Sequence, residues 1–456
     1  MRIGIDARLY GVESGTGIGR YSQELLRQFG QVASGSPPPA RHASQLAGVA
    51  GRPLAPPPSG GGEIEFVVFL RKDGYEAFTP PDERWTKVLA DFRPYTIGVQ
   101  TRYPRIIRAA GVDLMHFTHF DHPIRCPVPF VITIHDLILL EYPTVRASML
   151  GPLRFWVKYA AYRRVLDHAV RQSIRILTPS RSVKEQIAER FGILREKIIA
   201  TPLGVDHASK FQISNFKFQI PSQPYLLYVG NAYPHKNLEQ LVRILPKLIE
   251  HHPHLQLVLV GREDDFYRRL RSTVYGLLRG NARTPIVFTG PVRDEELRLL
   301  MAGAAAYVSP SRHEGFDLPT VEALAAGTPV IASDIPVHRE ILGSAFVPFP
   351  TDDDAALADA IHRTLTRQDN NPHNRGSSCT AGLIHSDVRA TLRDRGIVRA
   401  QQFSWRTCAG DTLRAYREAL AWLDHEPQHT TSSGAERAAT PTASPPHSSS
   451  PTSTRG

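Results

Sequence analysis

Residues 309–327, SPSRHEGFDLPTVEALAAG, carry most of the information about the fold. They follow an apolar run that is typical of a buried strand. Gly315 permits a tight turn, Pro319 stands where the first residue of a helix would, and Gly327 is placed to end that helix. The backbone amides of residues 316–320 should therefore point out of a helix N-terminus. Free N–H groups and the helix dipole favour an anion such as a diphosphate there.

Two glutamates accompany this turn. Glu322 lies one turn into the predicted helix and can accept hydrogen bonds from sugar or ribose hydroxyls. Glu314, on the loop, can do the same for a second sugar. The alternative is a capped helix with two solvated glutamates. The agreement of the turn, the proline, the glutamates and the final glycine favours a ligand site.

The same order of strand, turn and helix recurs along the chain. Apolar runs alternate with amphipathic helical patterns, from RIGID (2–6) to PVIASD (329–334). Such alternation predicts parallel sheets covered by helices on both faces. The runs form two series joined near residues 206–224, which predicts two α/β domains that face a cleft.

The setting of the two glutamates, E-G-F-x-L-P-x-x-E-A-x-A-x-G-x-P-V-I, resembles the retaining glycosyltransferases of family 4. The resemblance covers nearly the whole chain outside two low-complexity segments. It implies the GT-B fold, in which two Rossmann-like domains face a central cleft. It also implies an enzyme that transfers a sugar from a nucleotide-diphosphate sugar without a metal or a cofactor.

The resemblance further implies a donor site on this segment. Glu322 would bind the donor ribose, and Glu314 would bind hydroxyls of the transferred sugar. The backbone amides of Phe316, Asp317 and Leu318 would meet the sugar and the phosphates. The implied donor-binding residues are Gly17, Gly230, Asn231, Lys236, Glu314, Gly315, Phe316, Asp317, Leu318 and Glu322, and the implied catalytic residues are His135, Lys236 and Glu314.

A second part of the implied donor site is GNAYPHKNL, residues 230–238, after the first strand of the second series. Lys236 stands in the family's phosphate-binding position, where its charge would offset that of the leaving diphosphate. The alternative is an exposed lysine at a helix N-terminus. Many members of the family carry an arginine close behind this strand, and this chain has Asn231. Arg262 or Arg312 is therefore expected to supply the second cation.

The first domain contributes two candidate features. The turn at residues 15–21, GTGIGRY, lets the backbone approach a ligand at Gly17, or is a turn that simply needs small residues. It lacks the G-x-G-x-x-G spacing and no acidic residue ends the next strand, which disfavours a nicotinamide dehydrogenase. His135 follows a strand at the predicted crevice and is expected to bind the sugar or the phosphate. The alternative is a core histidine.

Neither of two further clusters predicts a metal site. His116, His119 and His122 do not have the spacing of a familiar ligand helix. The run of aspartates at residues 352–354 is expected to cap a helix instead. The chain has three cysteines, which are far apart and predict no disulfide framework.

The domain boundaries follow from composition and from the resemblance. The predicted units are a first, acceptor-binding domain (1–205) containing a disordered insertion (31–62), a second, donor-binding domain (206–402), a helix that returns to the first domain (403–424) and a disordered tail (425–456).

A net charge of +10, from 54 basic and 44 acidic residues, favours anionic partners. The charge is spread along the chain, and no nucleic-acid-binding signature occurs, so a nucleic-acid partner is not expected. The basic and aromatic segment at residues 154–164 could rest on an anionic membrane or pack with snorkelling arginines. No apolar run is long enough to span a bilayer. We expect a cytoplasmic protein, peripheral at most to the inner face of the plasma membrane.

The resulting functional prediction is a retaining hexosyltransferase of the mannose or glucose type. Its partners would be a nucleotide-sugar donor and a polysaccharide or lipid-linked glycan acceptor. The alternative is a catalytically weak protein that binds sugar nucleotides. Retention is commonly explained in the family by same-face attack, so Glu314 is not expected to be a covalent nucleophile. A hydrolase is disfavoured because no G-x-S-x-G elbow occurs.

Overall fold

The computed structural model describes residues 1–11, 17–33, 64–143, 152–206, 221–277, 285–366 and 388–425. Most of the predicted insertion (31–62), of the junction (206–224) and of the tail (425–456) lies outside the described residues. Helix α1 (Gly17–Ala33) extends three residues into the segment predicted as an insertion.

The first sheet has seven parallel strands in the order β3-β2-β1-β4-β5-β6-β7. These strands are β1 (Arg2–Asp6), β2 (Glu65–Leu70), β3 (Trp85–Leu89), β4 (Leu114–Phe117), β5 (Phe130–Thr133), β6 (Arg175–Thr178) and β7 (Ile198–Ala200). Strand β1 pairs with β2 on one side and β4 on the other, so the order reverses there.

The second sheet has six parallel strands in the order β10-β9-β8-β11-β12-β13. These strands are β8 (Tyr225–Val229), β9 (Gln256–Val260), β10 (Ile286–Gly290), β11 (Ala306–Ser309), β12 (Val330–Ser333) and β13 (Phe346–Phe349). The order reverses between β8 and β11. The prediction of two parallel α/β sheets is confirmed.

The helices lie between the strands and cover the sheets. In the first half they are α1, α2 (Lys72–Ala77), α3 (Ile97–Thr101), α4 (Tyr103–Ala110), α5 (Ile138–Glu141), α6 (Pro152–Gln172) and α7 (Arg181–Phe191). In the second half they are α8 (Leu238–His251), α9 (Asp265–Leu277), α10 (Asp294–Gly303), α11 (Leu318–Ala325), α12 (Pro336–Leu342), α13 (Asp354–Leu365), α14 (Val388–Ala400) and α15 (Trp405–His425). Within the described ranges, no helix combines the length and the apolar character needed to cross a bilayer.

Helix α15 packs against α1 and β6 of the first domain. Trp405, at its start, is fully buried. The chain passes Gly204 so closely there that a Cβ on this glycine would lie 2.0 Å from the backbone nitrogen of Trp405. The carboxyl ends of the parallel strands of both domains meet at the cleft. His135 follows β5, whereas Lys236 follows β8 and Glu314 follows β11.

Candidate active site

Lys236 and Glu314 form a salt bridge at the carboxyl ends of β8 and β11. Lys236 ends a short 3₁₀ turn, Pro234–Lys236, and its Nζ lies 2.6 Å from Oε1 of Glu314. The side chains are 18% and 6% exposed. Burial lowers the pKa of Lys236, but the facing carboxylates of Glu314 and Asp317 outweigh burial and raise it. The ammonium group is therefore held in its charged form.

Arg312, one of the two cations expected near the phosphates, holds the turn that carries Lys236. Its NH1 donates to the carbonyl of Pro234 at 2.7 Å, and its NH2 lies 2.7 Å from Oδ1 of Asp352. Asn231, at the position of the family's arginine, accepts a hydrogen bond from the backbone of Tyr233 at 3.3 Å through its side chain. Arg312 and Asn231 therefore shape the turns around Lys236.

Helix α11 begins as expected after the glutamate-containing loop, but its conformation differs from the prediction in two details. The positive φ belongs to Asp317, at 62°, and not to Gly315. Gly315 is required because a Cβ there would lie 2.1 Å from the carbonyl oxygen of His135. Pro319 is the second helical residue, not the first. Gly327, at φ 74°, follows the end of the helix as predicted.

The start of α11 is not capped by a side chain in the described part of the chain. Asp317 is the N-cap residue, yet its side chain accepts no hydrogen bond from the helix. Among the described residues, no protein group accepts from the backbone N–H of Phe316 or Leu318. The carboxylate of Asp317 turns away, to the hydroxyl of Ser309 at 2.7 Å and to His338 at 3.0 Å. These N–H groups, at the positive end of the helix dipole, are suited to binding an anion.

Glu322, in the second turn of α11, faces the first domain. NH1 of Arg20, from α1, lies 2.5 Å from Oε1 of Glu322, and NH2 of Arg20 lies 2.6 Å from Oδ1 of Asp294. One guanidinium therefore bridges two carboxylates of the second domain. Gly17, three residues before Arg20, is exposed at the start of α1. Gly15 and Thr16 of the same predicted loop lie outside the described residues.

His135 lies beside the same loop, with its carbonyl oxygen against Gly315. Its Nε2 donates to the carbonyl of Thr118 at 2.9 Å, and its ring meets that of Tyr21 edge to face. Burial lowers the pKa of His135. The neutral ring then keeps its lone pair on Nδ1, which can accept from a sugar hydroxyl but would repel a phosphate oxygen.

The two domains touch at several polar contacts around the loop. Ser180, which caps α7, donates to the carbonyl of Gly315 at 2.8 Å. The carboxylate of Glu340, on α12, accepts from the backbone N–H groups of Arg181 and Ser182, each at 2.7 Å. These contacts close the cleft over the glutamate-containing loop.

The histidines considered as metal ligands point in different directions. His116 lies between Thr133 and Tyr416, whereas His122 pairs with His168. In the part of the chain that the structure describes, no three side chains of histidine, cysteine, aspartate or glutamate could hold a metal together. The aspartate run does cap a helix, since Asp353 accepts from the backbone N–H of Ala356 at 2.9 Å at the start of α13.

Four residues of this site were not predicted from the sequence. They are Arg20, Ser180, His338 and Glu340. Arg20 lies in the glycine-containing turn, where a cation beside an anion-binding loop could have signalled its role. The contacts that place the other three in the site join residues distant in sequence, so no local pattern marks them.

Known proteins are similar to this chain in sequence and in fold. Two family models match, "Glycosyl transferases group 1" over residues 223–367 and "Glycosyltransferase Family 4" over residues 59–209. O-antigen chain mannosyltransferase B of Escherichia coli is 27% identical over 88% of this chain and 96% of its own length. Glycogen synthase of Mycobacterium tuberculosis is 30% identical over 67% of this chain and 69% of its own length.

A solved structure agrees with the family models. Sucrose-phosphate synthase from Thermosynechococcus elongatus superimposes with a TM-score of 0.62 at 20% identity, covering 92% of this chain and 100% of that one. At this level of identity the likeness concerns the fold. Taken with the sequence matches and the two parallel sheets, it leads to one conclusion: the chain belongs to glycosyltransferase family 4 and has the GT-B fold.

Proposed function

We propose that this protein is a retaining hexosyltransferase that moves mannose or glucose from a nucleotide-diphosphate sugar to a polysaccharide or lipid-linked glycan. The observation that carries the proposal is the salt bridge between Lys236 and Glu314 beside the open N-terminus of α11. A cation, a helix N-terminus and a carboxylate at one point suit a diphosphate joined to a sugar.

The donor diphosphate would lie against the first amides of α11 and the ammonium of Lys236. An ammonium group has three protons, so Lys236 can keep its bond to Glu314 and still donate to a phosphate oxygen. As the bond to the sugar breaks, negative charge grows on the diphosphate, and these fixed donors stabilise it. The same groups can supply the charge stabilisation that a metal would give, so the proposed reaction is metal-independent and uses no cofactor.

Glu314 would accept hydrogen bonds from hydroxyls of the transferred sugar, and Glu322 would accept them from the ribose. Because Oε1 of Glu314 already faces Lys236 at 2.6 Å, this carboxylate is suited to orienting the sugar rather than to attacking it. In the proposed same-face reaction, the acceptor hydroxyl attacks the anomeric carbon and passes its proton to the leaving phosphate. His135, with Nδ1 as an acceptor, would bind another hydroxyl of the sugar.

The acceptor would bind to the first domain, across the cleft from the donor. The contacts of Ser180 and Glu340 hold the cleft closed, and closure would exclude the water that could hydrolyse the donor. The names of the relatives, an O-antigen mannosyltransferase and a glycogen synthase, support a glycan acceptor and a hexose. They leave GDP-mannose and UDP-glucose as the donors to test first.

Helix α6 is the part of the first domain proposed to contact an anionic membrane at the inner face of the plasma membrane. Trp156 and Val157 are exposed on it, 52% and 64%, next to the exposed Lys158 and Arg163. Exposed apolar and basic side chains along one helix suit an anionic lipid surface. Sedimentation with vesicles that contain anionic lipid should be lost in a Trp156→Ser, Lys158→Glu variant if this contact exists. No nucleic-acid partner is proposed.

The second candidate is a sugar-nucleotide-binding protein with weak catalysis. Two observations favour it. Asn231 stands in place of the family's arginine, and Glu322 is engaged by Arg20. Such a protein would bind a donor as well as the proposed enzyme but would transfer its sugar slowly. Transfer, not binding, therefore decides between the two.

The deciding experiment combines binding and transfer. The melting temperature is measured with GDP- and UDP-sugars, with and without a chelator, and transfer to lipid-linked and polysaccharide acceptors is then followed. One nucleotide class should stabilise the protein, Glu322→Ala should abolish this, and Lys236→Ala should lower transfer by about 10²–10³-fold. Glu250→Ala, an exposed glutamate on α8, is the matched control. Binding without transfer to any acceptor would favour the second candidate, and loss of transfer on chelation would contradict metal independence.

A further inference from the structure

His338, on α12, is a fully buried histidine next to the loop proposed to hold the diphosphate. Its Nδ1 lies 2.7 Å from the carbonyl oxygen of Ser333, and its Nε2 lies 3.0 Å from Oδ2 of Asp317. A carbonyl oxygen and a carboxylate oxygen accept hydrogen bonds and do not donate them. Each ring nitrogen therefore needs a proton, and the ring that satisfies both contacts is an imidazolium.

The neighbouring hydroxyl groups do not change this assignment. The hydroxyl of Ser333 lies 3.3 Å from Nδ1, but it donates to the carbonyl of Ser311 and so has no proton for the ring. The hydroxyl of Ser309 lies 2.7 Å from Oδ2 of Asp317 and can donate to it. Oδ2 thus receives two donors, as an ionised carboxylate does.

The alternative arrangement is a neutral His338 beside a protonated Asp317. Burial alone would favour it, since burial raises the pKa of a carboxyl group. The hydrogen bond from His338 and the charge of Lys236 outweigh burial, however, and the pKa of Asp317 is lowered. The ionised pair is therefore the form that fits both the geometry and the charges.

This ion pair balances the charges around the phosphate loop. Two buried carboxylates, Glu314 and Asp317, lie near the single ammonium of Lys236. Without a further cation the loop would face an incoming diphosphate with an excess negative charge. The imidazolium of His338 offsets the charge of Asp317 and leaves that of Lys236 to act on the donor.

Asp317 also holds an unusual backbone conformation at this point. Its φ of 62° lies in the left-handed region, which glycine adopts freely and which aspartate tolerates better than most residues. The hydrogen bonds to His338 and Ser309 fix the side chain on that backbone. The direction of the amides of residues 316–318 therefore depends on this buried pair.

We propose that His338 is a positioning residue, a buried imidazolium that neutralises Asp317 and fixes the loop whose amides meet the donor diphosphate. The inference rests on the proposed function, since it concerns how that donor is held. His338 does not touch the donor. In this chain it supplies, from behind the loop, a positive charge that the turn at Asn231 lacks.

The test is a double-mutant cycle on nucleotide binding, with GDP and UDP as probes and isothermal titration calorimetry as the measurement. H338Q keeps a hydrogen-bond donor near Asp317 but loses the charge, so it should weaken binding by about tenfold. D317G removes the carboxylate and keeps the backbone conformation. In the D317G background, H338Q should therefore cost little affinity. Rescue of this kind would not follow from a merely structural role of His338.

H122Q is the matched control. His122 is fully buried and pairs with His168 at 2.9 Å in the first domain, so its loss should lower the melting temperature without changing nucleotide affinity. If the H338Q protein folds only when D317G is also present, this rescue of folding supports the pairing of charges between His338 and Asp317. Equal losses from H338Q in both backgrounds, or none in either, would overturn the inference and leave the proposed function intact. A wild-type protein that binds neither nucleotide would overturn both.

Discussion

Helices α7 and α11 begin on opposite sides of the cleft, and among the described residues protein side chains occupy the N-terminus of α7 but not that of α11. At α7, Ser180 caps the helix with its hydroxyl, and the carboxylate of Glu340 accepts from the first two helical amides. That carboxylate comes from the other domain. At α11, the N-cap residue Asp317 turns its side chain to His338, so that it does not cap the first amides of the helix.

The N-termini of α7 and α11 have similar helix dipoles but different roles. An N-terminus attracts an anion through its free amides and its dipole. At α7 a protein carboxylate takes this place, so the attraction contributes to domain closure. At α11 the same place is the one proposed for the donor diphosphate. The two ends are joined, since Ser180 also donates to the carbonyl of Gly315. Closure and donor binding should therefore depend on each other.

Among the variants that test this comparison, the largest effect is expected where the N-termini of α7 and α11 meet. A Cβ on Gly315 would lie 2.1 Å from the carbonyl oxygen of His135, so Gly315→Ala should force the domains apart. Misplacement of reacting groups by about 1 Å can cost about 100-fold, and transfer should fall by about that factor. Small-angle scattering should show a larger radius of gyration.

The control for this variant is Gly276→Ala on α9, where an added Cβ meets no atom within 4 Å. It should leave both transfer and the radius of gyration unchanged. A Gly315→Ala protein with an unchanged radius and normal transfer would show that the contact with His135 does not hold the closed form.

A smaller effect is expected at the N-terminus of α7, which the carboxylate of Glu340 occupies. Glu340→Gln removes the charge from the N-terminus of α7 and should cost about 1–2 kcal/mol of stability, seen as a lower melting temperature. It should also enlarge the radius of gyration, because the carboxylate comes from the other domain. Asp353→Ala removes an ordinary cap within one domain. It should cost similar stability and leave the radius unchanged, and identical radii for the two variants would contradict the assigned role of Glu340.

Strands with a clear apolar pattern were predictable from the sequence, and two edge strands without one were not. Strands β1 (RIGID), β8 (YLLYV) and β9 (QLVLV) each have four buried residues in a row, most of them apolar. Strands β3, WTKVL, and β13, FVPF, were missed, and both lie at sheet edges, whereas the edge strand β10, IVFTG, was predicted. An edge strand can carry polar residues or a proline because one side of it forms no ladder hydrogen bonds. Its apolar pattern is correspondingly weak.

The candidate site likewise has features that the sequence predicts and features that it does not. Turn chemistry within residues 309–327 predicts the helix start, and the spacing of its glutamates carries the family resemblance. The contacts that complete the site join distant residues, such as Arg20 with Glu322 and Arg181 with Glu340. No local sequence pattern identifies such partners. The required glycine at residue 315 was predicted, but for the turn rather than for the approach of another chain segment, which no single stretch encodes.

The smallest effect concerns the second turn of α11. Unlike the backbone amides of Phe316 and Leu318, which have no acceptor among the described residues, Glu322 in the second turn has a protein partner. Arg20 forms salt bridges with both Glu322 and the half-exposed Asp294. An exposed pair contributes about 0.2–1 kcal/mol, so Asp294→Asn should loosen Arg20 and tighten GDP or UDP binding by less than about fivefold. Arg20→Ala should tighten it further, because the ribose hydroxyls would no longer compete with the guanidinium for Oε1 of Glu322. Titration calorimetry measures both. Weaker binding in both variants would mean that Arg20 orients Glu322 for the ribose, and the contrast between an open first turn and an occupied second turn of α11 would then be wrong.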